Sequence, residues 1–404
     1  MSYMRLESLP AEVRKNIIRL YIIKTAKWFM LVMPVIVPFY EFNGLDLQDI
    51  MTLKSVYSLS VVLFEIPSGY LADRLGRKNT LIAGAILGTA GYAVYSVSFG
   101  FTGFLVAELV LGAGLSMVSG ADSALLYDTL SHHKHEKDYT MYEGRVTSVG
   151  NFAESAAGLL GGLLALVSLR YPFYAQTVVA FTAIPAALTL WEPARGNSGS
   201  FVRFRDILMV VRTCLISDPK LRINILFSSI IGAATLSMAW FVQPYFEFTG
   251  IPLSMFGVLW TALNIFLGVV SAFAYRLEHY FGQKRTLIII TLIIPLGFIM
   301  TALIGSVWGL AVIFLFYIVR GMATPVLKDY INRLTRSEIR ATVLSVRNFS
   351  IRIIFAIMAP FAGMISDRSD IRTGLMVSGL IFTIVLIPLL LVYLKQTASF
   401  SENK

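Results

Sequence analysis

The chain has 404 residues, of which 56% are hydrophobic and only 14% charged, with a mean hydropathy of +0.71. Soluble domains carry about 25% charged residues, so a soluble fold is excluded and an all-α integral membrane protein is implied. The net charge of +10 does not point to nucleic acid, because the basic residues fall between apolar stretches and not along one polar face.

The opening "MSYMRLESLPAEVRKNIIRL" reads as a basic, amphipathic lead-in to the first apolar stretch, with no pattern of a cleaved leader. Stretches long enough to cross a bilayer, roughly 20 residues each, follow near 20–42, 50–72, 79–99, 103–127, 146–168 and 172–191. Six more lie near 222–246, 253–275, 286–304, 306–327, 343–365 and 373–394. Between the two sets, residues 192–222 hold the longest polar stretch. It opens on "EPARGNSGS" and continues in "FVRFRDILMVVRTCL", which reads as an amphipathic helix on the inner membrane surface.

Three short echoes relate the two sets. "GRKNTL" from Gly76 returns as "GQKRTL" from Gly282, "GADSALLYD" from Gly120 as "GMATPVLKD" from Gly321, and "SVGNF" from Ser148 as "SVRNF" from Ser345. Their order and spacing are those of a duplicated six-helix unit. The reading is therefore twelve transmembrane helices in two pseudo-symmetric six-helix bundles, 1–191 and 223–404, joined by a cytoplasmic linker over 192–222. With the N-terminus inside, the alternate outer loops and outer helix ends keep only Lys54, Arg170, Arg368 and Arg372, so the positive-inside rule places both termini in the cytoplasm. Cys214 is the one cysteine, and His132, His133 and His135 cluster in a loop; no metal centre, cofactor or redox role is expected.

The densest charge cluster is "GYLADRLGRKNTL" over 69–81. Gly69, Asp73, Arg74, Gly76, Arg77 and Lys78 resemble the loop motif between the second and third helices of the major facilitator superfamily of secondary transporters, and the preceding "FEIPS" is similar to a common bacterial variant. The resemblance covers essentially the whole chain. It implies that Asp73 binds the positive N-terminus of the eleventh helix, near Ala341, as an inner gate. Gly69 and Gly76 would then permit close approach and a tight turn, and Arg77 and Lys78 would pair with Asp128. The alternative is that these charges only anchor a cytoplasmic loop at the headgroups. In the second copy His279 and Gln283 replace Asp73 and Arg77, with Glu278 adjacent.

Ionisable residues inside the spans are costly in hydrocarbon and mark cavities or partners; they include Glu65, Glu108, Asp122, Glu154, Arg320, Arg347 and Arg352. At ~1.5 Å per residue, Glu154 lies roughly 14 Å beyond Arg145, near midplane. Glu154 is the first candidate for proton coupling, followed by Asp122, Glu108 and Glu65, of which Glu65 and Asp122 also stand near the inner gate network. The acids Glu108, Asp122 and Glu154 belong to the first half and the arginines to the second, so a cavity between halves would have one acidic and one basic wall. Arg320 and Arg352 are candidates for an anionic solute group, and Trp240, Gln243 and Asn264, with Tyr245 and Trp260, for its apolar and polar surface. Structural ion pairs and interfacial aromatics explain the same residues without transport.

Glu108, Gly112 and Gly114 resemble the helix 4 motif of the superfamily's drug antiporters, with Glu108 in place of that motif's arginine. "AGLLGG" over 157–162 resembles their helix 5 motif, with Gly158 in place of its proline. Neither a zinc-protease motif nor a phosphate-binding loop occurs, so no enzyme is expected. The resemblance implies a proton-coupled carrier of a small organic solute in a bacterial-type cell membrane, surrounded by lipid, with drug efflux as the best-known analogue. Organic-anion or nutrient transport is the rival, and a non-transporting membrane scaffold the remaining alternative.

Overall fold

The structure is a computed structural model that describes residues 9–193, 212–336 and 339–401, and these residues are helical and connected by short turns. They fall into two compact units. The first draws on Met1–Gly44, Val56–Phe201 and Leu253–Thr261, the second on Leu45–Ser55, Val202–Pro252 and Ala262–Lys404.

Most of the first unit's helices are α1 (Ala11–Trp28), α2 (Ile36–Phe42), α3 (Leu47–Leu75), α4 (Arg77–Val97), α5 (Phe101–Val118), α6 (Ala121–His132), α7 (Tyr139–Val167), α8 (Tyr171–Phe181) and α9 (Ala183–Leu188). Residues of α1, α6, α7 and α9 meet in an apolar core that includes Val13, Ile17, Leu125, Tyr142 and Ala187. The remaining helices are α10 (Pro219–Phe248), α11 (Leu253–Ile304), α12 (Gly309–Arg333), α13 (Arg340–Arg368) and α14 (Ile371–Ser401). In the second unit a smaller core gathers Cys214, Leu221, Ile225, Ile331 and Val343.

Among the described residues, ten helical stretches are long and apolar enough to cross a membrane. Large apolar side chains such as Leu63, Leu163 and Ile384 remain exposed on them, as a lipid-facing surface requires and a water-facing one would not tolerate. The twelve expected spans differ from these ten stretches in two places. Residues 172–191 hold α8 and α9, which break at Thr182; Pro185 cannot donate to the carbonyl four residues back, at Phe181, and its ring crowds that turn. The 52-residue α11 contains two expected spans, separated at Gly282, where φ 75° and ψ 159° leave the helical region.

Gly282 and its echo Gly76, at φ 101°, share a backbone conformation that side chains with a Cβ resist. The repeated "G-x-K" turn therefore repeats as geometry as well as sequence. Of the expected linker helix, residues 201–211 lie outside the described residues. Its end forms a π-helical turn, Thr213–Ser217, and Asp218 then caps α10 by accepting from the Lys220 and Leu221 amides at 2.9 and 3.0 Å.

Candidate functional site

The turn between α3 and α4 is built around Gly76. A Cβ there would meet Glu192 Oε2 at 2.8 Å, and Glu192 uses both oxygens to accept from the Arg77 and Lys78 amides, at 2.9 and 3.0 Å. A carboxylate thus satisfies the exposed amides at the positive end of α4. The Arg77 guanidinium forms an ion pair with Asp128 of α6 and donates to Ala124 O at 2.5 Å, both within the first unit. Arg74 is exposed and donates to the Tyr70 hydroxyl at 3.3 Å. A Cβ on Gly69 would meet nothing within 4 Å among the described residues. The side chain of Asp73, and with it the expected gate contact, lies outside the described residues.

The second copy of this turn holds different chemistry. Gln283 donates to the Tyr393 hydroxyl at 2.7 Å, and the buried Glu278 accepts from the Tyr330 hydroxyl at 2.9 Å. Asp329, the echo of Asp128, pairs with Arg333 of its own helix at 2.5 Å.

Within the first unit's membrane helices, two carboxylates have defined partners. Glu108 is 2% exposed and accepts from the Tyr40 hydroxyl at 2.9 Å, while Tyr40 and Tyr95 share a 2.5 Å hydroxyl contact. The rings of Phe39, Phe104 and Phe173 pack around these tyrosines. Asp122, at the start of α6, pairs with Lys24 of α1 at 3.3 Å. Beside it Ser123 donates to Glu143 at 2.8 Å, and Lys24, Asp122, Ser123 and Glu143 line one cleft with Leu20, Leu126 and Val146. Glu65 on α3 and Glu154 on α7 are half-buried. The acids proposed for one task therefore occupy separate environments, one among tyrosines and one opposite an ammonium group.

The glycine run of α7 is a packing surface. A Cβ on Gly161 would run into Leu31 O, one on Gly158 into Thr261 Oγ1, and one on Gly162 would meet Gly257 Cα at 2.8 Å. Only glycine lets these backbones approach so closely.

In the second unit, Lys54 Nζ stands 4.8 Å over the Trp240 ring, and Gln243 is 2% exposed. Tyr245 is fully buried and donates to Ser306 O at 2.8 Å, which makes it part of the core. Arg320 stacks 5.3 Å from the Tyr317 ring; Arg352 and Asn264 are half-buried on α13 and α11. Arg347 is 4% exposed, and its Nε donates to Ser228 Oγ at 2.5 Å. Sequence reasoning omitted Lys24, Glu143, Tyr40, Tyr95 and Glu192. For Lys24 a signal existed, a cation inside the apolar "YIIKTAKWFM".

A membrane-spanning helical chain with paired charges in its spans and a basic turn between α3 and α4 is the frame of a polytopic carrier family. Residues 25–203 and 225–404 match the family model for the Major Facilitator Superfamily, and the chain belongs to that superfamily. It is 26% identical over 182 residues to the Quinolone resistance protein NorA of Staphylococcus aureus (strain MRSA252), covering 44% of this chain and 45% of that protein. In that match the chain spans about half the length of its curated relative. Similarity to the Tetracycline resistance protein, class H, of Pasteurella multocida is 22% identity over 317 residues, 74% of this chain and 75% of the relative. The crystal structure of the nucleoside transporter NupG has the same fold, with a TM-score of 0.75 at 14% identity, covering 96% of this chain and 99% of that one.

Proposed function

We propose that the chain is a secondary active transporter, not an enzyme, that moves a small organic solute by alternating access across a bacterial-type cytoplasmic membrane. The observation that carries this reading is the superfamily match over both halves, 25–203 and 225–404. Relatives named for quinolone and tetracycline resistance favour drug efflux as the direction and class of transport. Twelve crossings follow when α11 is counted as two helices divided at Gly282 and α8 with α9 as one broken crossing. Halves 1–191 and 223–404, a linker over 192–222 and cytoplasmic termini complete the reading, supported by the sequence echoes and the positive-inside rule.

Coupling to protons has three candidates. A proton on Asp122 would cancel its attraction for Lys24 and let α1 and α6 separate locally. A proton on Glu108 would convert an acceptor of the Tyr40 hydroxyl into a donor. Glu154, near midplane by helical rise, is the third. Organic-anion transport is the second reading, favoured by the buried cation Arg347 in the second unit.

The test is proton movement in proteoliposomes carrying the purified protein, under an imposed pH gradient, with cationic, neutral and anionic solutes. Solute-dependent proton flux is expected, and it should lose its pH dependence in the Asp122→Asn or Glu154→Gln variant that removes the coupling carboxylate. A protein that binds solutes yet moves neither solute nor proton would be a scaffold or receptor, and the transport reading would fail.

A further inference from the structure

Two cations of the second unit, Arg347 on α13 and Lys328 on α12, stand at similar depth in their helices. Arg347 on α13 is held from two sides, with Nε donating to Ser228 Oγ of α10 at 2.5 Å and Nη1 to Asn348 Oδ1 at 3.0 Å. Ser229 fixes the same turn by donating to Arg347 O at 3.3 Å. Lys328 is half-buried on α12, and the charge of Arg347 acts on it. At ~1.5 Å per residue, Arg347 lies about 10 Å beyond the start of α13 and Lys328 about 8 Å before the end of α12. Among the described residues, neither cation forms an ion pair.

The sequence echoes show that this arrangement is a departure from the first copy. Aligned on "GADSALLYD" and "GMATPVLKD", Ala323 stands at the position of Asp122 and Lys328 at that of Tyr127; aligned on "SVGNF" and "SVRNF", Arg347 stands at that of Gly150. An acid has gone and two cations have arrived. A buried cation without a counter-charge is destabilising, and a second one beside it adds repulsion. Both facts are resolved by an anion that arrives from outside the chain. A planar guanidinium fork, already oriented by two oxygens, next to an ammonium group suits an oxyanion.

We propose that Arg347 and Lys328, with Ser228 orienting the guanidinium, bind a carboxylate or phosphate group. That group is the anionic end of a solute, in which case the site names the cargo's charge class and rests on the transport reading, or it is the head group of an anionic lipid.

The test uses the full chain in nanodiscs of phosphatidylcholine, with thermal unfolding followed during titration with inorganic phosphate, with benzoate and, as a cationic control, with choline. A parallel set of nanodiscs contains phosphatidylglycerol. A saturable rise in Tm with phosphate or benzoate, absent with choline, is expected. Arg347→Gln and Lys328→Gln should each weaken the apparent affinity about tenfold, and Arg347→Lys by less. Without any anion, Lys328→Gln should be at least as stable as the parent, because it removes a repulsion; a purely structural lysine would give a loss. If Arg347→Gln does not fold, Lys328→Gln carries the comparison. A rise confined to phosphatidylglycerol discs and lost in the variants assigns the group to lipid. The proposal is overturned by no anion-dependent rise in any arm, or by variants that respond as the parent does. Solute-driven proton flux without an anion response would sink this site and leave the transport reading intact, whereas anion binding without flux would do the reverse.

Discussion

In the first unit, Asp122 faces Lys24 at 3.3 Å and Glu108 accepts from Tyr40 at 2.9 Å; in the second, the described partners of the Arg347 guanidinium are the neutral oxygens of Ser228 and Asn348. The two halves keep common backbone devices, the positive-φ turn at Gly76 and Gly282 and an acid at Asp128 and Asp329, but not a common charge pattern. Asp128 is engaged by Arg77 of another helix, Asp329 by Arg333 of its own. A duplicated frame preserves what the backbone needs, because a Cβ at a positive-φ turn is strained in either copy. Buried charge is free to diverge, since each pair needs only a local partner.

The sharpest way to break this comparison is to strip the first unit's pair. Asp122→Asn leaves Lys24, about nine-tenths buried, without its carboxylate, and removing one partner of a buried pair costs about 3 kcal/mol. A fall of that order in the unfolding free energy in detergent is expected, with most of it recovered in the Asp122→Asn, Lys24→Met double variant. An unchanged Asp122→Asn protein would mean that the pair is solvated, and the contrast with Arg347 would collapse.

Tyr40→Phe should have a smaller effect. It removes the hydroxyl that donates to Glu108 and leaves a buried carboxylate oxygen short of a donor, a loss of about 1–2 kcal/mol. Chemical denaturation of the purified variant measures it. A double variant with Glu108→Gln should show less than the sum of the two single losses, because the residues share one network; full additivity would mean that the hydrogen bond contributes nothing.

Much of the fold was legible in the sequence because the bilayer imposes it. A run of about 20 apolar residues must be a helix there, and the repeated "G-x-K" turns mark breaks whose backbone is the same. What hydropathy averages away was not legible: Pro185 interrupts residues 172–191 at Thr182 while leaving their apolar mean high. The candidate site was legible only in part. Glu108, Asp122 and Arg347 were conspicuous as charges in apolar stretches, but their partners lie far along the chain, 98 residues apart for Lys24 and Asp122 and 119 for Arg347 and Ser228. Nothing in the order of residues joins Lys24 to Asp122, or Tyr40 to Glu108. Glu192 looked like the first residue of a linker, and only tertiary packing aims it at the Arg77 and Lys78 amides.

The smallest effect concerns how helix ends are satisfied, where the units also differ. In the first unit, α4 takes its carboxylate from the distant Glu192. In the second, α14 is capped locally by Asp370, which accepts from the Thr373 amide at 2.7 Å and the Thr373 hydroxyl at 2.6 Å. Those two donors, hydroxyl first, hold the Asp370 carboxyl below the usual carboxylate range. Asp370→Ala should cost about 0.5–1 kcal/mol, in the lower part of the range for a lost cap because water screens the site. The sign with pH follows from the depressed value. The ionised cap contributes fully above the unfolded carboxylate's pKa of about 3.9 and is lost as pH falls through the lower folded value. Thermal unfolding of parent and variant should therefore differ by a constant amount between about pH 5 and 7 and converge below about pH 4. A difference that persists unchanged in acid would show that the charge is not what Asp370 contributes, leaving its neutral hydrogen bonds to hold the end of α14.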